Sequence, residues 1–210
     1  MTSRKRPPLS RARVLDAAID LADRGGLESL TMRRLGAELD VEAMSLYKHI
    51  DGKDDLLNGM VDAVIGAIEV PEPGSEWQDA MRRRAASARS LLLRHSWVIA
   101  LFEARGLNSR VTIDYVDTIL GCLREAGFDA ENAAHAFFLL DTFVYGHVVQ
   151  EAATAREPGP DTQSDGRALP SNVKDVHDLG AAGRFSFDTE FEFGLDLCLE
   201  ALARRLAATG

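Results

Sequence analysis

Residues 31–53, TMRRLGAELDVEAMSLYKHIDGK, constrain this chain more than any other stretch. Met32, Leu35 and Leu39 recur at helical spacing, so residues 31–39 read as a short helix. Asp40-Val41-Glu42 breaks the pattern as a turn. Leu46 and Ile50 then mark the inward side of a second short helix over 43–49, and Asp51-Gly52 turns again before a basic Lys53. Upstream, Ser10 suits the N-cap of a helix whose apolar face is Val14, Ala18, Leu21 and Ala22, and Gly25-Gly26 suits its end. Three short helices closing on Val14, Ala18, Leu35, Leu39, Val41, Leu46 and Ile50 predict a helix-turn-helix. Such a unit leaves the outer face of its last helix free to enter a DNA major groove.

The rest of the chain repeats the helical period without strand-like alternation or internal repeats. A fourth helix from Lys53 carries Leu56, Leu57, Met60, Val61, Val64, Ile65 and Ile68, and Pro71-Glu72-Pro73-Gly74 ends it. Helical segments follow at 76–93, 95–103, 109–126, 129–156 and 189–208. Residues 157–186 are rich in Gly, Pro, Ser and Asp and read as a mobile loop with at most a short helical turn. The prediction is an all-α fold: an N-terminal three-helix helix-turn-helix domain joined by a connecting helix to an all-helical ligand-binding and dimerisation domain. The boundaries are a flexible basic arm at 1–9, a DNA-binding domain at 10–53, and the body at 54–210.

Charge supports that division. Residues 1–53 hold ten Lys/Arg against eight Asp/Glu, whereas 54–210 hold fourteen against twenty-five, so a slightly basic head sits on an acidic body within a chain of net charge -9. Arg4, Lys5, Arg6, Arg11 and Arg13 all precede the first acid, Asp16, as an arm that would orient the molecule on DNA. No apolar run approaches the ~20 residues of a membrane span. The start MTSRKRPPLS has no apolar segment behind it, as a secretory signal would. Cys122 and Cys198 lie far apart inside apolar helical patterns and read as reduced thiols rather than a disulfide framework. The expected compartment is the cytoplasm.

The outer face of the 43–49 helix offers the candidate reading residues. Ser45 can bond a base edge or a phosphate, and Ala43 and Met44 can meet thymine methyls. Tyr47, Lys48, His49 and Lys53 suit the DNA backbone, where contacts fix register without reading sequence. Thr31, Arg33 and Arg34 suit phosphates, and Arg4 and Arg6 the minor groove. Glu42 would repel phosphate if it pointed outward; it is expected to cap the third helix or accept from cytosine N4.

These residues in combination resemble the N-terminal domain of the tetracycline-repressor (TetR) family of transcription regulators. The resemblance rests on Gly25-Gly26, Thr31, Leu46-Tyr47-Lys48-His49, and Lys53 followed by Leu56-Leu57. It implies that Thr31, Ser45, Tyr47, His49 and Lys53 lie near the operator. Two positions depart from the family's habit. Gly36 stands where Ala is usual, at a helix-propensity cost of about 1 kcal/mol, though glycine permits a closer crossing. Asp40 stands where Gly is usual, and Asp tolerates the left-handed region better than most residues. The body is similar to the branch with a tetracycline-repressor-like C-terminal domain. His95-Ser96-Trp97 resembles its histidine–proline–tryptophan opening, with Ser for Pro, while 141–147 and 191–195 resemble its late helices. That similarity implies a homodimer joined through 129–156 and 189–208.

A sensor body also needs a cavity walled by apolar groups with a few polar ones. The candidates for it are Met60, Trp97, Phe102, Tyr115, Phe137, Phe138, Thr142, Tyr145 and His147. His135 and His147 are not at a metal-ligand spacing and no Cys/His cluster exists, so no metal and no cofactor are called for. No nucleophile–base pairing suggests an enzyme. The expected function is a repressor that binds a palindromic operator as a homodimer, its two third helices roughly 34–36 Å apart or a multiple of that. A largely apolar or aromatic effector would release it from DNA. The alternatives are an architectural DNA-binding protein without sequence preference and a dimeric repressor blind to ligands.

Overall fold

The computed structural model describes residues 8–105, 109–156 and 170–209, with the side chains of 102–105, 155–156 and 209 left undescribed. Among these residues the secondary structure is helical, with no strand. The helices are α1 (Arg11–Gly25), α2 (Met32–Leu39), α3 (Ala43–Leu46), α4 (Lys53–Ile65), α5 (Trp77–Arg94), α6 (Trp97–Arg105), α7 (Arg110–Glu125), α8 (Ala130–Arg156), α9 (Ser171–Ala181) and α10 (Phe187–Thr209). They belong to two compact units, one made of residues 1–68 and 94–116, the other of 69–93 and 117–210.

The first unit is built from its caps inward. Ser10 Oγ accepts from Arg13 N at 3.3 Å and starts α1, and Gly26, at φ 72°, ends it by donating its N–H to Ala22. Thr31 Oγ1 accepts from Arg34 N at 3.2 Å and starts α2. Each cap satisfies an amide that the first helical turn leaves without a partner. Asp40 takes the left-handed conformation at φ 54° and ψ 49°, the one non-glycine residue with positive φ among those described. Gly36 lies where α2 meets the turn into α3. A Cβ there would stand 2.8 Å from the Val41 carbonyl oxygen and 3.2 Å from Ala43 N, so the glycine exists for that close approach. Val14, Ala18, Leu35, Leu46 and Ile50 are fully buried as expected, whereas Leu39 and Val41 are only half-buried.

Three expectations need amending. The third helix is shorter than 43–49: regular α-helix stops at Leu46, and His49 and Ile50 instead donate to the Leu46 carbonyl in a closing turn. Glu42 stands at the N-cap of α3, but its side chain makes no capping bond. Within 157–186, residues Ser171–Ala181 form an eleven-residue helix, while 157–169 lie outside the described residues. Composition misled there because Val173, Val176 and Leu179 carry a sparse helical period that the surrounding polar residues obscure. Connecting helix α4 belongs to the first unit, because its buried face of Leu56, Met60 and Val64 closes against α1.

In the second unit α8 and α10 pack antiparallel. Phe143 stacks on Phe191 with centroids 5.5 Å apart, and Arg205 Nε donates to Asn132 Oδ1 at 2.9 Å. Alongside runs α5, where Trp77 meets the edge of Phe128 at 5.1 Å. Two charged links tie α5 to α8. Arg84, 1% exposed, pairs with Asp141 and lies 5.5 Å from the Phe137 ring centroid. Arg89 donates to both Glu151 oxygens at 2.8 and 2.9 Å.

Candidate nucleic-acid interface

The outward side of α2 and α3 is the candidate DNA-facing surface. Burying Leu35, Leu46 and Ile50 turns the remaining side chains of these short helices to solvent. Met44 is 74% exposed and Tyr47 is 48% exposed; Lys48, Lys53, Thr31, Arg33 and Arg34 are exposed, while Ala43, Ser45 and His49 are half-buried. The residues named from the sequence therefore share one region of the first unit. Arg4 and Arg6 lie outside the described residues. Thr31 uses its oxygen to accept the Arg34 amide, which leaves the hydroxyl proton for a phosphate.

The sequence did not reveal how this surface is braced. Arg11, read as part of the basic arm, is instead held on the protein's own surface: it forms a two-pronged pair with Asp55 at 2.6 and 2.7 Å and donates to the His49 carbonyl at 3.2 Å. Asp55 also accepts from Asp51 N at 2.9 Å. The Arg11 guanidinium, followed by the Asp51 amide, holds the Asp55 carboxyl down at about 2 from an ordinary 3.8. Asp55 in turn raises Arg11. One carboxylate thus joins the starts of α1 and α4 to the turn that follows α3. A separation of 44 residues leaves no local signal for that pairing.

The candidate effector residues are scattered by comparison. Met60 and Trp97 are buried in the first unit, and Tyr115 is half-buried there. In the second unit Phe137 is buried and Tyr145 half-buried, whereas Phe138 is 67% exposed and Thr142 is exposed on the surface of α8. The side chain of Phe102 lies outside the described residues. His147 is enclosed by Phe143, Phe187 and Phe191, with ring centroids 6.1, 5.6 and 5.1 Å away. Neither of its ring nitrogens reaches a hydrogen-bond partner, and Nδ1 stops 3.6 Å from Glu151. Burial first, and then Arg89, push the His147 pKa down.

A cavity of about 260 Å³ opens nearby, lined by Ala86, Arg89, Ser90 and Leu93 of α5, Glu151 of α8, and Asp188, Phe191 and Glu192 of α10. It includes none of the candidate effector residues. Arg89 is fully engaged there, bonded to Glu151 and Asp188 with its guanidinium 4.9 Å from the centroid of Phe191. The cavity wall is therefore mixed, apolar at Ala86, Leu93 and Phe191 and charged where Arg89 already pairs with the protein's own carboxylates. Among the described residues no group of three potential ligands is placed to hold a metal ion.

Residues 14–60 match the family model described as bacterial regulatory proteins, tetR family, and residues 70–206 match that for the tetracyclin repressor-like C-terminal domain. The chain belongs to the TetR family of transcription regulators. It is 31% identical to an HTH-type transcriptional regulator of Saccharopolyspora erythraea over 99% of this chain and 88% of the relative. It is 29% identical to the HTH-type transcriptional repressor DrrR1 of Streptomyces coeruleorubidus over 94% of this chain and 78% of that one. Among solved structures, ActR of Streptomyces coelicolor in complex with actinorhodin aligns with a TM-score of 0.72 at 29% identity, covering 95% of this chain and 99% of the other. TetR-family regulators are DNA-binding transcription factors rather than enzymes; they bind as homodimers and are released by small molecules. No helix among the described residues is long and apolar enough to cross a membrane.

Proposed function

We propose that this TetR-family regulator is a cytoplasmic repressor that holds a palindromic operator as a homodimer and leaves it when a small, largely apolar or aromatic molecule binds the helical body. The observation that carries the DNA half is the outer face of α2 and α3, where Met44, Tyr47 and Lys48 project while Leu46 and Ile50 anchor the same short segment. Ser45, Ala43 and Met44 read base edges; Thr31, Arg33, Arg34, Tyr47, Lys48, His49 and Lys53 hold the backbone, with Arg4 and Arg6 following the minor groove. DrrR1, a repressor by name, supports the sign of regulation.

The dimer forms through α8 and α10. Phe138, Leu139 and Val149 on α8 and Phe193 and Leu197 on α10 are exposed large apolar side chains, an arrangement that a second copy would cover. Phe138 and Thr142 then serve assembly rather than the effector. The actinorhodin-bound relative supports an effector of apolar or aromatic character. Phe137, Tyr145 and His147 are the residues of the second unit proposed to meet it. His147 supports this reading, because an enclosed polar ring without a partner gains a hydrogen bond from a ligand that reaches it.

Selecting bound duplexes from a random pool at stated salt tests the proposal. The expected result is a palindrome whose half-sites lie one helical turn apart or a multiple of it. A folded dimer that recovers no motif would overturn it in favour of architectural binding. With the palindrome in hand, a screen for molecules that release the protein finds the effector, and a complete failure across polycyclic aromatics would favour the ligand-blind repressor.

A further inference from the structure

Asp23 lies in the last turn of α1, where a carboxylate is normally unfavourable because the helix dipole presents its negative end. It is offset there by two side chains from more than seventy residues away. Trp97 Nε1 donates to Asp23 Oδ1 at 2.6 Å, and His95 Nδ1 lies 2.9 and 3.0 Å from the two Asp23 oxygens. The two partners are sheltered, with the His95 side chain 12% and Trp97 7% exposed, while the Asp23 side chain keeps 23% of its surface in solvent. His95 lies in the turn before α6 and Trp97 opens that helix, whose buried Val98 and Leu101 lie in the same compact unit as α1 to α4. A chain that leaves this unit after Ile68 and re-enters it at Arg94 is thus pinned to the DNA-reading head at the point of re-entry.

We propose that Asp23 is a positioning residue for DNA release, clasping Trp97 and His95 so that α6 and the reading head move as one body. It rests on the DNA-binding reading above. Two features separate it from a simple structural peg. The acceptor is a carboxylate at the helix end that disfavours one, and its partners are the side chains at which the chain re-enters the first unit. If α6 is fixed to α1, linkage requires the reverse effect: DNA held at α3 must change the stability of α6.

Hydrogen exchange tests this with the full-length dimer and a duplex recovered by selection. In the natural protein, duplex should slow exchange in α2 and α3 and also in residues 97–101, by about tenfold in the latter. In Asp23→Asn, which keeps size but loses the charge, α2 and α3 should still respond while the response of 97–101 disappears. Trp97→Phe removes the indole donor together with part of the buried ring, and serves as the second variant if the Asn variant folds poorly. Equal responses of 97–101 in natural protein and variant, with α3 protected in both, overturn the clasp alone. Absence of protection in α3 of the natural protein overturns the clasp and the DNA-binding reading together.

Discussion

The reading head and the helical body use charge in opposite ways. In the head the arginine–carboxylate pairs Arg11–Asp55 and Arg24–Glu38 lie on the rim, partly exposed above the apolar core. In the body, charge enters the core. Arg84 is enclosed between Asp141 and Phe137, and Arg89 is shared by Glu151 and Asp188 over Phe191. A rim pair contributes little because water competes for it. A buried guanidinium whose carboxylate is removed is left desolvated without compensation, which costs far more. The head is therefore specified by shape and the body partly by complementary charge.

The largest effect should come from taking Asp141, 42% exposed, away from the buried Arg84. Asp141→Ala is expected to lower stability by about 1–3 kcal/mol, whereas Arg84→Met, which removes the charge along with its need for a partner, should cost clearly less. Chemical denaturation of both variants would measure this, and equal losses would mean that Arg84 acts by packing alone. Next, Gly36→Ala should destabilise the head by about 1–2 kcal/mol although alanine is the better helix former, because the added Cβ meets the Val41 carbonyl. A stabilised variant would show that α2 can move away from the turn at little expense.

Acid should separate the two regions by pH window. His147 has its pKa lowered, so the unfolded chain takes up that proton first. Its contribution is whole above about 6.5 and is lost as pH falls below that. Asp55 is also depressed, so its contribution is whole above about 3.8 and is lost as pH falls toward 2. Melting curves across pH should therefore lose the upper slope in His147→Phe, whereas Asp55→Asn should reduce the lower slope without abolishing it, because the Asp129 and Asp178 carboxyls are lowered as well. Exchange of the two slopes between the variants would contradict the assignment. The smallest effect belongs to the DNA surface: Lys48→Ala should reduce the slope of log affinity against log salt by about one without changing the preferred site.

The periodicity of the chain already contained the all-helical fold, the reading head and most of its core. Its signals are local: Ser10 and Thr31 cap within three residues, Gly26 and Asp40 close helices by their own conformations, and Leu35, Leu46 and Ile50 keep helical spacing. The DNA-facing candidates followed for the same reason, since the outer face of so small a unit is whatever its core does not use. Less was visible in the body. Its helices are apolar on more than one side, so spacing alone did not separate buried Phe137 from exposed Phe138, or enclosed His147 from exposed Thr142. The helix at Ser171–Ala181 was hidden by polar composition.

Local pattern, then, determined which segments are helices, where most of them begin and end, and which face of the head stays free. Tertiary structure decided which distant charges meet. Arg11 was drawn from the basic arm to Asp55, Arg84 to Asp141 and Asp23 to Trp97. Such pairs span 44 to 74 residues, and no local rule of spacing reaches that far. The partners are chosen only when packed helices bring one polar side chain within reach of another.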